Sequence, residues 1–368
     1  MSKDIHKDEF DEATLVKLKI FEEYFKKWMG VFTAGQKIYW KQLNVFDFFA
    51  GTGKDKKDNL GSPLIILKHL YFYEKFIVPN NIKVNLYFNE YDKNKYLTLV
   101  KNIKDTDLPE WLNITVENKD FGVLFQDYLP IIQQKGSSNL LFLDQNGVKH
   151  ITIETFQMLV NADRTDFMFF ISTTHLKRFM KHSSIIKYLN LESDFFEGIP
   201  HYHIHKKVAE LYKDMIPQGR TYYTSSFTLK KPNGNIYGLI FGSPNPKGME
   251  RFLDSVWKVD SLRGEANFDI DEEKIIDGQL DLFTSQLRKA NKVEKFESEI
   301  IEAILDGSLK TDRDLYLYCL NNGFVTSLHV KPILKKLFAD GKIENHKNLV
   351  LNYDVIRKGS SPTNIILK

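Results

Sequence analysis

One stretch limits what this chain can fold into: Leu43-Asn-Val-Phe-Asp-Phe-Phe-Ala-Gly-Thr-Gly53. The apolar run from Val45 to Phe49 reads as a buried strand, and it ends in two glycines, Gly51 and Gly53. Without a Cβ, glycine lets the backbone turn tightly and come close to a ligand. A strand that delivers its chain to such a turn at the carboxyl edge is how a doubly wound α/β sheet begins when it holds a nucleoside. Lys56 stands three places after Gly53, where a dinucleotide fingerprint would carry its third glycine, so that fingerprint fits less well.

The pattern downstream agrees with an open sheet. Alternating or continuous apolar runs predict strands over 82–88, 113–117, 139–143 and 166–172. Helices are expected between them over 64–76, 93–103, 122–134 and 152–161, and an amphipathic helix over 12–29 precedes the first strand, with Gly30 as its stop. That first helix shows no chemistry of its own. Ser62 before Pro63 reads as an N-cap with proline at the first helical position. The charged loop 54–59 reads as solvated, with a cofactor cover as its functional alternative. Strand–helix alternation from 43 to 172 is the mark of an α/β sheet. Then the pattern changes. Residues 220–229 and 235–241 flank Lys231-Pro-Asn-Gly-Asn235, which predicts an antiparallel hairpin.

An open parallel sheet that closes with an antiparallel hairpin is the methyltransferase variation on the Rossmann theme. The spacing Asp47-x-Phe49-x-Gly51-x-Gly53, with Ala50 inside it, fits the glycine turn of methyltransferases that use S-adenosylmethionine. Glu90 at the end of the second strand can accept both ribose hydroxyls, while Asp92 suits the cap of the next helix better. Asp120 is equally placed to accept from an adenine amine or to cap a helix. Strands one and four should flank the reversal of strand order, where ligands bind. The turn Asp144 to Gly147 is therefore the candidate catalytic position, with Asp144 and Asn146 as its residues. Asp144 could take a proton from an attacking amine or hydroxyl, or position the substrate.

Composition narrows the classes. No membrane span or secretory leader is expected from the apolar patterning, and a single cysteine, Cys319, excludes an internal disulfide framework and a Cys-based zinc site. A reducing cytoplasm is the simplest setting. Aromatic methylation through a cysteine adduct is disfavoured, because Cys319 lies in the C-terminal region. His201, His203 and His205 would share one face of a strand, yet a histidine run in a loop is more often solvated, and no metal site is expected.

The net charge of +3 is distributed unevenly: residues 288–368 carry 14 Lys and Arg against 10 Asp and Glu. Here helices are expected over 296–305, 312–322 and 327–339, followed by short apolar runs 348–351 and 363–367. Three helices and a terminal hairpin read as a winged helix. His329, Lys331, Lys335 and Lys336 would be the polar residues of the recognition helix, suited to phosphate. A solvated face on a protein-docking module is the alternative. Pro332 inside the third helix is a local inconsistency. The expected domains are 1–285, an α/β methyltransferase-like domain, and 286–368, a winged helix.

The ordered set Phe46-Asp-Phe-Phe-Ala-Gly-Thr-Gly53, Gly61-Ser-Pro63, Phe88-Asn-Glu-Tyr-Asp92, Phe142-Leu-Asp-Gln-Asn-Gly147 and Tyr237-Gly-Leu-Ile-Phe-Gly-Ser243 resembles the three-Cys-motif partner proteins, over about residues 15–285. Gly61-Ser-Pro63 is the most specific part. The resemblance implies a methyltransferase-like fold and a cofactor pocket at Asp47, Gly51, Gly53 and Glu90. It also implies a partner chain with a three-cysteine, radical-enzyme-like motif. The family usually has proline after the strand-four aspartate, as do amino-group methyltransferases of DNA; Gln145 stands there instead, which weakens the case for base-amine methylation. Two functions are expected from this reading. One is a methyltransferase acting on DNA, RNA or a partner-presented substrate, in a mobile-element or phage-defence setting. The other is an inactive scaffold that binds nucleic acid or protein through its winged helix.

Overall fold

The computed structural model describes residues 9–33, 40–145, 150–172, 174, 176, 195–199, 203–268 and 291–368. The chain divides into two compact units, Met1–Gly248 and Met249–Lys368. The boundary expected at 285/286 lies outside the described residues.

The first unit is a seven-stranded sheet in the order β3-β2-β1-β4-β5-β7-β6. Its strands are β1 (Gln42–Asp47), β2 (Lys83–Asn89), β3 (Leu112–Glu117), β4 (Ser137–Leu143), β5 (Thr165–Ser172), β6 (Tyr223–Lys230) and β7 (Ile236–Ser243). The first five pair in parallel, and β7 pairs antiparallel to β5 and β6. This is a Rossmann-like α/β sheet with a terminal antiparallel hairpin. Helices α1 (Glu12–Thr33), α2 (Ser62–Ile77), α3 (Lys93–Lys104), α4 (Phe121–Ile132), α5 (Ile153–Asn161) and α6 (Ile204–Asp214) accompany it. β4 and β5 are buried along their whole length, as parallel strands covered on both faces must be. The switch of strand order falls between β1 and β4, where Asp47 pairs with Phe142.

Three local expectations are corrected. α1 does not stop at Gly30 but runs on to Thr33, because a glycine without positive φ ends nothing by itself. Gly61, not Ser62, is the N-cap of α2, and no side chain caps it. The Ser62 hydroxyl is drawn instead to Asp47, a buried acceptor that outcompetes the helix end. His203 precedes α6 and His205 lies within it, so they do not alternate along a strand; His201 is outside the described residues.

Helix α7 (Pro246–Val259) carries the chain into the second unit, where α8 (Lys292–Leu305), α9 (Asp312–Asn321) and α10 (Lys331–Ala339) follow. Phe296, Ile300 and Ile304 of α8, Leu315 and Leu320 of α9, and Ile333, Leu334 and Leu337 of α10 make the core. Pro332 sits in the first turn of α10 after a π-helical turn, Thr326–Val330, where its missing N–H costs nothing. The expected terminal hairpin differs. Residues 363–368 pair with 310–311 and 342–344, not with 348–351. Buried Asp312 explains this: its carboxylate accepts from Val350 N (3.0 Å) and Thr363 N (2.9 Å), and Asp312 N donates to Thr363 O.

Candidate functional site

The carboxyl ends of β1, β2 and β4 open on a cavity of about 430 Å³, within the range of small-molecule sites. Phe49, Ala50, Gly53, Glu90, Asp120 and Asp144 all line it. Two other expected cofactor residues, Asp47 and Gly51, are not among the lining residues. Asn146 lies outside the described residues.

The turn is built by backbone geometry. Gly51 and Gly53 have φ of 62° and 84°, the left-handed region that glycine alone enters freely. Gly61 N donates to Gly53 O at 2.7 Å, and a Cβ on Gly61 would fall 2.9 Å from that oxygen. The loop between is not simply solvated. Asp55 is buried and gathers four donors: Phe10 N, Lys57 N, Asn59 N and Asn59 Nδ2. Burial alone would raise the Asp55 carboxyl, but these donors outweigh it and hold it below its ordinary range.

Asp47 is fully buried. It accepts from Ser62 Oγ at 2.5 Å and from Phe49 N at 3.2 Å. Burial pushes its carboxyl up to about 7, against those hydrogen bonds, and the charge of Asp144 adds to the rise. Its role is to hold Ser62, and with it Gly61, against the glycine turn.

Glu90 accepts from Gly51 N (2.9 Å) on one oxygen and from Asp92 N (2.8 Å) on the other. Each oxygen keeps a second lone pair for a ligand. Burial raises the Glu90 carboxyl, with the backbone donors opposing. Asp92 caps α3 through Asn94 N and Lys95 N. Asp120 does cap α4, donor Gly122 N, while also lining the cavity, so the two roles are compatible.

Three lining residues had no clear signal in the sequence. Asn89, buried at the end of β2, donates to Phe48 O and Lys119 O and accepts from Lys119 N, fastening three strand ends together. His150 packs against Phe49 and Phe121, at 5.4 and 5.3 Å between ring centres. Lys17 of α1 forms an ion pair with Asp144 and lies over the Phe170 ring. The first helix does reach the cavity: Lys17 sits among Phe10, Ala13, Thr14 and Leu18 on its wall. Its position among apolar residues of an amphipathic stripe was the available signal.

In the second unit, Lys331, Lys335 and Lys336 are exposed on α10, opposite its buried residues. His329 does not join them. Its ring packs against Trp257 (4.2 Å) and Phe324 (4.9 Å), and Nδ1 meets Val325. Burial pushes its imidazole down to about 4, so it is neutral at pH 7. Cys319 is buried and its thiol is raised to about 12, which makes it inert. No described helix is long and apolar enough to cross a membrane.

Residues 267–348 match the model of the GMT-like wHTH domain. The C-terminal region is thus a winged helix-turn-helix. No curated protein matches the chain by sequence. Solved structures similar to it include Trm1 from Pyrococcus horikoshii in complex with S-adenosyl-L-methionine, at 8% identity and a TM-score of 0.37 over 66% of this chain and 58% of that one. The O-methyltransferase TomG from Streptomyces achromogenes, in complex with SAM, is 10% identical with a TM-score of 0.33 over 64% and 90%. TYW2 from P. horikoshii, in complex with MeSAdo, is 11% identical with a TM-score of 0.30 over 66% of each chain. The chain spans 58% of the first of these, and values this low do not carry those proteins' activities across.

Proposed function

We propose that the first unit is an S-adenosylmethionine-dependent methyltransferase and that the winged helix brings it to nucleic acid or to a partner-presented substrate. Glu90 carries this reading: a carboxylate at the end of β2, fastened to the glycine turn of β1 by Gly51 N–H, faces a cavity at the switch of strand order. The residues fit such a cofactor. A Cβ at Gly53 would press on Leu99 at 3.2 Å and on Leu64 at 3.5 Å, so glycine there lets the turn pack closely on α2 and α3. Glu90 would hold the ribose hydroxyls, and Asp120 with Phe121 the adenine. When bound, the cofactor supplies a methyl group carried on a sulfonium. Asp144 would orient the acceptor and receive its proton, and Lys17 holds the Asp144 carboxylate in place.

The resemblance to three-Cys-motif partner proteins adds a second chain carrying the cysteines this one lacks, and a phage-defence setting. A non-catalytic scaffold is the second reading, favoured by the Lys17–Asp144 pair, which already occupies one oxygen of the candidate base. Calorimetric titration of the full chain with S-adenosylmethionine and its demethylated product separates these readings from a pocket with no cofactor. Micromolar binding that is lost in Glu90→Ala supports the cofactor site, and labelled methyl transfer then distinguishes enzyme from scaffold. Absence of binding, alone and with the partner chain, overturns the methyltransferase.

A further inference from the structure

The β6–β7 hairpin brings Lys231 and Tyr237 to the wall of the same cavity. Its turn is fixed by backbone bonds: Lys231 N donates to Asn235 O (2.8 Å) and Gly234 N to Lys231 O (2.9 Å). Ile236 N donates to Thr174 Oγ1 at 2.8 Å, which ties the turn to the chain just past β5. The lining runs from Glu90 after β2 to Lys231 after β6, five strand steps in the sheet order, or about 24 Å at about 4.8 Å per step. Glu90, the glycine turn and Asp144 take the first two steps, from β2 through β1 to β4. The ends of β5, β7 and β6 are left for the acceptor.

Charge divides the cavity at the same place. On the donor side the charged lining residues are Glu90, Asp92, Asp120 and Lys95, an excess of carboxylate that suits a sulfonium cation. At β4, Lys17 and Asp144 pair with each other. Beyond them, among the described residues, Lys231 alone carries charge into the lining. Its ammonium stands 5.1 Å from the centre of the Tyr237 ring, and 19% of its side chain is exposed. Asp11 is its carboxylate neighbour, at 3.3 Å, against about 2.7–2.9 Å for a charge-assisted hydrogen bond. Asp11 also accepts from Thr14 N at 2.7 Å and is not among the lining residues. Lys231 is thus a cation with three donors and one loosely held partner.

We propose that Lys231 binds a phosphate of the methyl acceptor, which is therefore a nucleotide, free or within a strand; that the phosphate belongs to the acceptor rests on the methyltransferase reading above. Phe170, Leu229 and Tyr237 supply an apolar wall beside the ammonium. A nucleotide is complementary to that arrangement, since it carries an anion next to a flat base. The winged helix-turn-helix in the same chain suits the same class of substrate. When a phosphate arrives, Lys231 can turn from Asp11 to it, and Asp11 keeps its bond from Thr14 N. The hairpin turn then has a purpose in the site: its backbone bonds set a cation three strands away from the candidate base, on the side opposite the glycine turn.

The test compares probes that differ by a phosphate. The full chain, with the demethylated cofactor product filling the donor end, is titrated with thymidine, thymidine 5′-phosphate and a short oligothymidylate by ligand-observed NMR. At low salt the phosphate should improve affinity about tenfold or more, the scale of one hydrogen bond to a charged group. Lys231→Gln should cut that advantage to within about twofold, while Lys231→Arg should keep it. Asp11→Asn can still accept from Thr14 N but drops the competing charge. It should raise the affinity of the phosphate probes several-fold and leave thymidine's unchanged, a gain that a merely structural Lys231 would not give. A larger Lys231→Gln loss for the oligonucleotide than for the mononucleotide assigns the phosphate to a strand, and an equal or smaller loss assigns it to a free nucleotide. No phosphate advantage in the parent, or an advantage that Lys231→Gln keeps, overturns the proposal. Titration of the demethylated product on the same samples keeps the two readings apart. Phosphate binding through Lys231 without product binding removes the acceptor assignment together with the methyltransferase reading, and product binding without a phosphate advantage removes only this inference.

Discussion

Asn44 Nδ2 donates to Asn139 Oδ1 at 2.9 Å, across the junction of β1 and β4 where the strand order switches. The bond is one step of a row. Asn113 donates to Asn85 (3.1 Å), Asn85 to Asn44 (2.8 Å), and Asn139 to Thr165 Oγ1 (2.9 Å) and Ile132 O (2.7 Å). The four asparagines and Thr165 lie at paired register positions of five neighbouring strands. A slip of one residue in any strand would break the row, so it fixes the register that sets the cavity's floor. Asn44→Leu should cost about 2–4 kcal/mol in urea unfolding, since it orphans groups on both neighbours. Asn113→Ala, at the exposed end, should stay within about 0.5 kcal/mol. Equal effects from the two would mean the row does not act as a unit.

Two glycines should respond in opposite directions to alanine. In Gly61→Ala the new Cβ meets the backbone oxygen of Gly53 at 2.9 Å, and backbone cannot rotate away as a side chain can. The glycine turn must shift, and cofactor binding should fall at least about tenfold, with a loss of roughly 1–3 kcal/mol in stability. Gly30 lies inside α1 with open space around its would-be Cβ. Gly30→Ala should stabilise by about 0.5–1 kcal/mol through helix propensity and reduced unfolded-state freedom. Thermal unfolding with cofactor titration on both variants checks the pair.

The buried carboxyls set a pH dependence. Burial raises Asp47 to about 7, and Asp166, hydrogen-bonded by Tyr24, to about 6. In the unfolded chain both titrate near 4. Between those limits the native state binds more protons than the unfolded one, so stability present below pH 4 is lost as the pH rises towards 7. Asp47 alone should account for roughly 2–4 kcal/mol of that fall at about 1.4 kcal/mol per unit. Asp47→Asn removes its share. The urea midpoint of the variant should change less between pH 5 and pH 8 than that of the parent. Parallel curves would mean that Asp47 titrates normally in the folded protein.

The sheet was legible because its strands are short apolar runs bounded by turn and acidic residues, and length with those boundaries decides such runs. The hairpin was legible from Pro-Asn-Gly. What stayed hidden was tertiary. The asparagine row needs the strand order before Asn44, Asn85, Asn113 and Asn139 can be seen as neighbours. Ser62 read as a cap because local rules favour it, and only folding brings Asp47 within its reach. Lys17 looked like any helix cation until α1 lay beside Asp144. His329 looked polar by type, yet an aromatic cluster absorbs its ring. The terminal run 363–368 paired elsewhere because Asp312, a helix-start residue by sequence, is the anchor for Val350 and Thr363.

The winged helix offers the last prediction. Lys331, Lys335 and Lys336 are exposed on α10, whose opposite side is fixed in the core by Ile333, Leu334 and Leu337. If these lysines meet phosphates, each one releases condensed counterions, and the slope of log affinity against log salt falls by about 0.9 for every phosphate of duplex DNA no longer neutralised. The triple change to glutamine should therefore reduce that slope by roughly 2–3 and weaken binding to duplex DNA by about 10- to 100-fold in low salt. Sequence preference should be unaffected, because bonds to phosphate position the protein without reading bases. Folding should be unaffected as well, since all three side chains are exposed. Fluorescence anisotropy at several salt concentrations measures the slope directly. A slope equal to that of the parent would mean that these lysines do not meet phosphates.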